Sequence, residues 1–152
     1  MKHSYFSRRL LSVFMAFALG LSVLLAKDFV VVIDAGHGGH DPGSLGSKAK
    51  EKNINLGVAL KLGRLIENNM QGVKVVYTRK KDVYLTLQER ANIANKVQGD
   101  LFISIHTNSL DKKSPNRRKV AGASTWTLGL HRSKENLEVA KRENSVIYLE
   151  ND

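Results

Sequence analysis

The sequence predicts an α/β protein whose mostly parallel sheet is flanked by helices. Three observations predict this class: short runs of β-branched and apolar residues, helical periodicity between those runs, and glycine or polar residues where each run ends. Apolar runs without alternation are typical of strands buried on both faces, as in parallel sheets. The chain has 152 residues, of which 42% are hydrophobic, and this suits one domain with an apolar core.

The predicted elements follow the order β-α-β-α-β-β-α. The strands are predicted at Phe29–Ile33, Val73–Thr78, Leu101–Ile105 and Ala121–Leu128. The helices are predicted over about Glu51–Asn69, from the capping box Thr86–Glu89 as far as Gly99, and from Lys134 to about Glu150. The chain stops at this last helix, so we expect the sheet to be incomplete at the C-terminus.

Apolar periodicity predicts which side chains face the core. The predicted inward stripe is Val58, Leu62, Leu65 and Ile66 in the first helix, and Leu87, Ala91, Ala94 and Val97 in the second. The third strand is predicted to be buried. Trp126 is predicted to be a core residue of the fourth strand, with stacking on a sugar as the alternative. Asp82 and Arg90 are expected to stabilise turns and helix packing, and His40 and His131 to face solvent.

The N-terminus has the composition of an export signal. Lys2, Arg8 and Arg9 precede an apolar run from Leu10 to Ala26, and polar sequence resumes at Lys27. This pattern predicts a signal peptide over residues 1–26. The alternative is an uncleaved anchor, for which the run is marginal, since a membrane span needs about 20 residues. We therefore expect an exported protein of the periplasm, cell envelope or extracellular space, with no membrane association after cleavage.

Charge and cysteine content restrict the chemistry. Lys and Arg number 24 against 14 Asp and Glu, which gives a net charge of +10 and favours an acidic partner. In an exported protein an anionic cell envelope fits better than nucleic acid, which we do not expect as a partner. The absence of cysteine excludes disulfides, thiolate metal sites and thiol nucleophiles. A metal must be held by His, Asp or Glu.

Three residues far apart in the sequence are candidate metal ligands. His37 follows the first strand, His106 follows the third, and Glu51 begins the first helix. The carboxyl ends of parallel strands share one edge of a sheet, so these side chains can converge there. Two imidazoles and one carboxylate form a ligand set of catalytic zinc sites, which keep a fourth position for water. Each residue also has a structural interpretation: a hydrogen-bonded histidine, or an acid favoured by the helix dipole.

Several motifs in order resemble one enzyme family. The matching residues are Val31–Gly39, Asp41–Gly43, Glu51–Lys52, Asn55–Leu56, Val75–Arg79, Asp82, Leu87, Arg90–Asn92 and Asp100–Asn108. Together they resemble the zinc-dependent N-acetylmuramoyl-L-alanine amidases of the bacterial cell-separation and autolysin type, over residues 29 to about 128. The resemblance implies that His37, Glu51 and His106 bind Zn²⁺. It also implies hydrolysis of the amide between N-acetylmuramic acid and L-alanine in peptidoglycan, with an activator protein as a further expected partner.

The end of the chain departs from the family pattern. The family's catalytic glutamate lies in a late segment resembling Val-Glu-x-Gly-Phe, which is absent here. We therefore expect residues 27–152 to be the N-terminal portion of the catalytic domain and assign no catalytic residue. The late acids Glu135, Glu138, Glu143 and Glu150 lack that context, although Arg142–Ile147 resembles the start of a helical insert that covers the site in regulated members. The alternatives are an inactive zinc- and peptidoglycan-binding fragment, or a protein whose histidines are structural and which binds no stoichiometric metal.

Overall fold

The computed structural model describes residues 27–108, 113, 115, 119–127, 141, 143 and 144. The signal peptide predicted for residues 1–26 lies outside this part of the chain, as does most of the helix predicted from Lys134. Within the described residues, no helix combines the length and apolar character that a bilayer crossing requires.

A parallel sheet forms the centre of the fold. Its strands are β1 (Phe29–Ala35), β2 (Val73–Tyr77) and β3 (Leu101–Ile105), and the helices between them are α1 (Glu51–Asn69) and α2 (Leu87–Lys96). The strand order is β2-β1-β3, and β1 pairs in parallel with both neighbours. The predicted α/β class is confirmed, and the predicted first three strands and first two helices are found within two residues of most of their bounds.

Strand β1 is buried on both faces because helices or polar side chains cover each one. Val31, Ile33 and Ala35 pack with Ala59 of α1 in the apolar core. Val32 and Asp34 alternate to the opposite face. There Gly99 lies so close to Val32 that an added Cβ would stand 2.7 Å from its Cγ2 atom. The second half of β1 is therefore packed on both faces of the sheet.

The predicted inward face of α1 was partly wrong. Leu62 and Ile66 pack on the core, but Val58 and Leu65 are 47% and 53% exposed. The buried positions are Glu51, Lys52, Asn55, Ala59 and Gly63. Small and polar residues occupy this face because the ring of Tyr77 packs directly on Gly63 and the helix start faces the candidate site. Apolar periodicity cannot detect a face of that composition.

The first turn of α2 confirms the predicted capping box. The backbone N–H of Glu89 donates to Thr86 Oγ1 at 3.1 Å, and the N–H of Thr86 donates to Glu89 Oε2 at 2.7 Å. Leu87 and Ala94 of this helix and Val97 just after it are half-buried as predicted, but Ala91 is exposed. The buried side chain of α2 is that of Arg90, which packs under the end of β1.

Three predictions about the later part of the chain were wrong. Residues 121–127 form no strand, since Gly122 adopts φ +137°, which interrupts extended backbone; Leu128 lies outside the described residues. Trp126 is 46% exposed and is not a core residue. Strand β3 is not fully buried, because β1 is its single partner among the described strands, and Leu101 and Phe102 are each 45% exposed.

Candidate metal centre

The structure brings the three candidate ligands together at the carboxyl edge of the sheet. His37 lies two residues beyond β1, His106 directly follows β3, and Glu51 is the first residue of α1. Glu51 Oε1 lies 3.4 Å from His37 Nε2 and 3.3 Å from His106 Nδ1. The two imidazole rings meet edge to face, with centroids 4.9 Å apart.

A fourth donor completes the cluster. Glu143, which has helical backbone, places Oε2 2.8 Å from His106 Nδ1 and 3.9 Å from His37 Nε2. One donor atom from each of the four residues lies within 4.8 Å of the other three. Sequence reasoning noted Glu143 among the late acids but gave it no role. The available signal was its place in the segment that resembles a helical insert.

Two nitrogen atoms in this cluster lack ordinary partners. His37 Nε2 and His106 Nδ1 are buried, and neither makes a well-directed hydrogen bond, although carboxylate oxygens lie nearby. Buried polar atoms without hydrogen bonds are rare and need an explanation, such as an ion. Imidazole nitrogens and carboxylate oxygens are ligands of zinc and related divalent metals. The residues present therefore fit a metal ion.

The carboxylate of Glu51 is fixed through both of its oxygens. Oε2 accepts a hydrogen bond from the backbone N–H of Ser44 at 2.9 Å. Oε1 accepts from the N–H of Thr107 at 2.8 Å and from Asn55 Nδ2 at 3.3 Å. With a side chain that is 3% exposed, Glu51 has its orientation set by its neighbours rather than by solvent.

His37 is oriented by a carboxylate on its other ring nitrogen. Nδ1 lies 2.7 Å from Asp41 Oδ2, which directs Nε2 toward Glu51 and His106. Partners of this kind fix the tautomer and the ring orientation of metal-binding histidines. The His37 backbone has φ +61°, a left-handed conformation that is uncommon for a residue with a side chain. At Gly43 an added Cβ would stand 2.6 Å from the His37 ring, so only glycine fits there.

Three buried cationic side chains hold the segment that carries His37. Arg90 donates to the carbonyl oxygens of Ala35 and His37, and also pairs with Asp34 at 2.7 Å. Arg79 donates to the carbonyls of residues 35 and 36. Lys52 Nζ donates to the carbonyl of residue 39 at 2.7 Å and to Asp82 at 2.6 Å.

The predicted structural roles of Asp82 and Arg90 are confirmed. The site thus has a rigid polar support.

The ring of His106 rests directly on the backbone of Gly36, where any Cβ would collide with it. Its side chain is 22% exposed, against 11% for His37. His40 is exposed as predicted and stacks on Tyr84, away from the donor cluster. His131 lies outside the described residues.

Comparison with known proteins identifies the family. The family model described as N-acetylmuramoyl-L-alanine amidase, Amidase_3, matches residues 31–148. The chain belongs to this amidase family. The resemblance predicted from the sequence motifs is confirmed.

Relatives and solved structures agree with this membership. A Buchnera aphidicola relative is 36% identical over 126 residues and covers 82% of this chain, which spans 51% of that relative. The amidase AmiC of Escherichia coli is 38% identical over 100 residues, covering 65% of this chain and 24% of AmiC. The catalytic domain of CwlV, an amidase from Bacillus (Paenibacillus) polymyxa, is 43% identical with a TM-score of 0.51, covering 53% of this chain and 46% of that domain. The chain therefore spans about half or less of the length of these relatives.

The electrostatics of the metal-free cluster follow from its packed acids and bases. Burial lowers the pKa of His106, but the carboxylates of Glu143 and Glu51 outweigh burial and raise it to about 9. Burial also opposes the charged form of His37, whose pKa is nevertheless raised by Glu51 and Asp41. For Glu51 burial favours the neutral acid, but the two imidazoles and two backbone N–H donors hold its pKa far below the usual range. The amidase-family site thus keeps Glu51 as a carboxylate.

The cluster opens into a cavity of about 680 Å³ between β3 and α2. His37, His106 and Glu143 line one end of it, while Leu87 and Phe102 are among the apolar residues farther along. Ligand sites commonly combine a mainly apolar wall with a few convergent polar groups. The cavity therefore offers a ligand a route toward the cluster, with Glu143 at its end.

Proposed function

We propose that this protein is an exported amidase that hydrolyses the bond between N-acetylmuramic acid and L-alanine in peptidoglycan, with Zn²⁺ held by His37, Glu51 and His106. The observation that carries the proposal is the convergence of these donors, with two buried imidazole nitrogens that lack hydrogen bonds. Membership of the amidase family supports the reaction and the substrate class.

The residues of this chain have distinct roles in the proposal. His37 and His106 provide neutral nitrogen ligands, and Glu51 provides a negative charge that its low pKa maintains at neutral pH. When bound, zinc supplies a Lewis acid that polarises the amide carbonyl and lowers the pKa of a water molecule. Asp41 orients His37, and the backbone N–H groups of Ser44 and Thr107 orient Glu51.

Glu143 closes the fourth side of the donor set in this proposal. Its Oε2 lies 2.8 Å from His106 Nδ1, on the side that faces the cavity. A carboxylate in that position competes with substrate and water for the metal, so this arrangement is a closed state. An activator protein that moves the Glu143 carboxylate away from the donor set is the expected partner. Peptidoglycan and the anionic envelope suit the net charge of +10, and residues 1–26 are proposed to direct export.

The alternative is a zinc- and peptidoglycan-binding protein without catalytic activity. It is favoured by Glu143, which fills the open side of the site, and by the lack of any assigned proton acceptor among the described residues. General acid–base catalysis typically contributes about 10²–10⁴-fold to a rate. A chain that binds zinc but has no such group would lose that factor, and its hydrolysis of the amide would fall toward zero.

Cleavage of purified peptidoglycan tests the proposal, with released stem peptides identified by mass spectrometry and zinc content measured on the same sample. We expect free stem peptides whose release stops on chelation and in His37→Ala. The matched control is His40→Ala, which removes an exposed imidazole three residues away. Stoichiometric zinc without peptide release supports the binding alternative. A folded chain with neither zinc nor release overturns the proposed site.

A further inference from the structure

We propose that Asn55 is the positioning residue of the metal centre: its amide fixes the three ligand-bearing segments relative to one another and so sets the affinity for the metal. This inference rests on the proposed zinc site. Asn55 is not one of the four residues whose donor atoms form the cluster.

The hydrogen bonds of Asn55 reach each of the three segments. Nδ2 donates to the carbonyl of Gly36, which precedes His37, and to Glu51 Oε1, both at 3.3 Å. Oδ1 accepts from Thr107 Oγ1, next to His106, at 2.8 Å. Among the described side chains outside the donor cluster, this one joins all three segments by hydrogen bonds. Arg79, by contrast, bonds to the His37 segment and to Lys52 beside Glu51, and Arg90 bonds to the His37 segment.

Burial makes these bonds important for geometry. Asn55 is 0% exposed and is one of the largest fully buried side chains, together with Val32 and Ile33. A buried amide costs free energy unless it is hydrogen-bonded. Every side-chain bond of Asn55 goes to the site, and an apolar residue such as leucine would fill similar space without that cost. The amide is therefore explained by the site rather than by core packing.

The bond to Glu51 acts on the oxygen that faces the metal position. Oε1 is the atom that lies 3.4 Å from His37 Nε2 and 3.3 Å from His106 Nδ1. Asn55 Nδ2 and the N–H of Thr107 both donate to it and so determine its direction. Without the Asn55 amide, Glu51 Oε1 keeps one hydrogen-bond donor, the backbone N–H of Thr107. The segments of Gly36 and Thr107 also lose the side chain to which both are bonded. Removal of such supporting groups typically weakens metal binding about 10–100-fold.

Zinc affinity of the full chain, measured by competition with a chromophoric chelator, tests the role of Asn55. We expect Asn55→Ala to bind zinc about 10–100-fold more weakly than the wild type. We also expect the visible absorption of bound Co²⁺, which reports ligand geometry, to change. The control is Ile66→Ala, a core truncation on the same helix and about 22 Å along its axis from Glu51 at 1.5 Å per residue. Ile66→Ala should lower stability and leave the zinc affinity of the folded protein and the Co²⁺ spectrum unchanged.

A second variant keeps the test decisive if Asn55→Ala does not fold. Thr107→Val removes the hydroxyl that donates to Asn55 at a half-buried position, and we expect a smaller loss of affinity in the same direction. If both variants bind zinc as tightly as the wild type, with an unchanged Co²⁺ spectrum, the positioning role is overturned and the zinc site stands. If the folded wild type binds no zinc, the proposed site fails, and the positioning role fails with it.

Discussion

The two histidines of the candidate metal centre are held in different ways. The His37 segment is fixed by cationic side chains from α1, α2 and the β2 end, and it carries a backbone with φ +61°. The His106 segment has Thr107, which bonds to Glu51 and Asn55, and then Asn108, which makes one long contact at 3.4 Å to exposed Ser124. The core thus fixes the His37 half of the site, whereas the His106 half follows β3, which has one partner among the described strands.

This difference predicts where the site can adjust. Strained backbone persists only where the surrounding structure determines it strongly, and the arginines that surround His37 meet that condition. His106 is more exposed and lies next to Glu143, on the side of the cavity. We therefore expect changes around His37 to affect folding and metal binding together. Changes around His106 should affect metal exchange and access with little effect on folding.

The largest expected effect is that of Arg90→Leu. The substitution leaves Asp34 buried without its cationic partner, and breaking a buried pair in this way costs about 3–5 kcal/mol. It also releases the carbonyls of Ala35 and His37. We expect that loss in the free energy of unfolding, measured with denaturant in the presence of chelator. Arg64→Leu, on an exposed position of α1, is the control and should change stability little. Equal effects of the two substitutions would contradict a core-determined His37 segment.

The next largest effect concerns His106 and is a dependence of zinc affinity on pH. Since the pKa of metal-free His106 is raised to about 9, zinc must displace a proton at neutral pH, and its affinity should rise with pH up to about 9. The stability of the metal-free protein should instead fall as the pH rises. Stability from a raised histidine pKa is complete below its ordinary value of 6.5 and is lost as pH rises to about 9.

Glu143→Gln provides the matching variant for this pH test. It removes the carboxylate charge next to His106 Nδ1, so both pH trends should become weaker. Zinc competition assays and denaturant unfolding in chelator, each across pH 6 to 9, provide the measurements. Because Glu143 holds the site closed in the proposed function, the same variant should hydrolyse peptidoglycan faster, and slower hydrolysis would contradict the closed state. Unchanged pH trends would mean that Glu143 does not act on His106.

Asp41→Asn is expected to weaken metal binding and to lower stability less than Arg90→Leu does. The isosteric amide keeps the space filled but loses the charge that holds His37 Nδ1 at 2.7 Å, so zinc affinity should fall about 10–100-fold. The matched control is Asp82→Asn, which alters an exposed carboxylate that binds the backbone of the same loop at Gly39. If Asp82→Asn weakens zinc binding as much as Asp41→Asn, loop support rather than imidazole orientation controls the affinity.

The sequence could predict most of the fold and the convergence of the three candidate ligands, but not that the two histidines are held in different ways. The strands, the helix starts and the convergence of His37, Glu51 and His106 follow from apolar runs, a capping box and the geometry of parallel sheets. The support of the His37 segment depends on where Arg79 and Arg90 fold in three dimensions. A structural role was expected for Arg90, but no sequence pattern shows which carbonyl oxygens a buried arginine will reach. The position of Glu143 depends likewise on how a distant helical segment returns to the site.

The smallest expected effect belongs to Asn108→Ala. Asn108 directly follows the His106 and Thr107 pair, but its side chain is exposed and its contact to Ser124 Oγ is 3.4 Å long. Substitutions at such surface positions usually change stability by less than about 0.5 kcal/mol. We expect denaturant unfolding and zinc affinity to remain near wild-type values, although the substitution lies two residues from a proposed ligand. A loss comparable to that of Arg90→Leu would mean that the end of β3 is held as firmly as the end of β1. The distinction between a core-determined and an adjustable histidine would then fail.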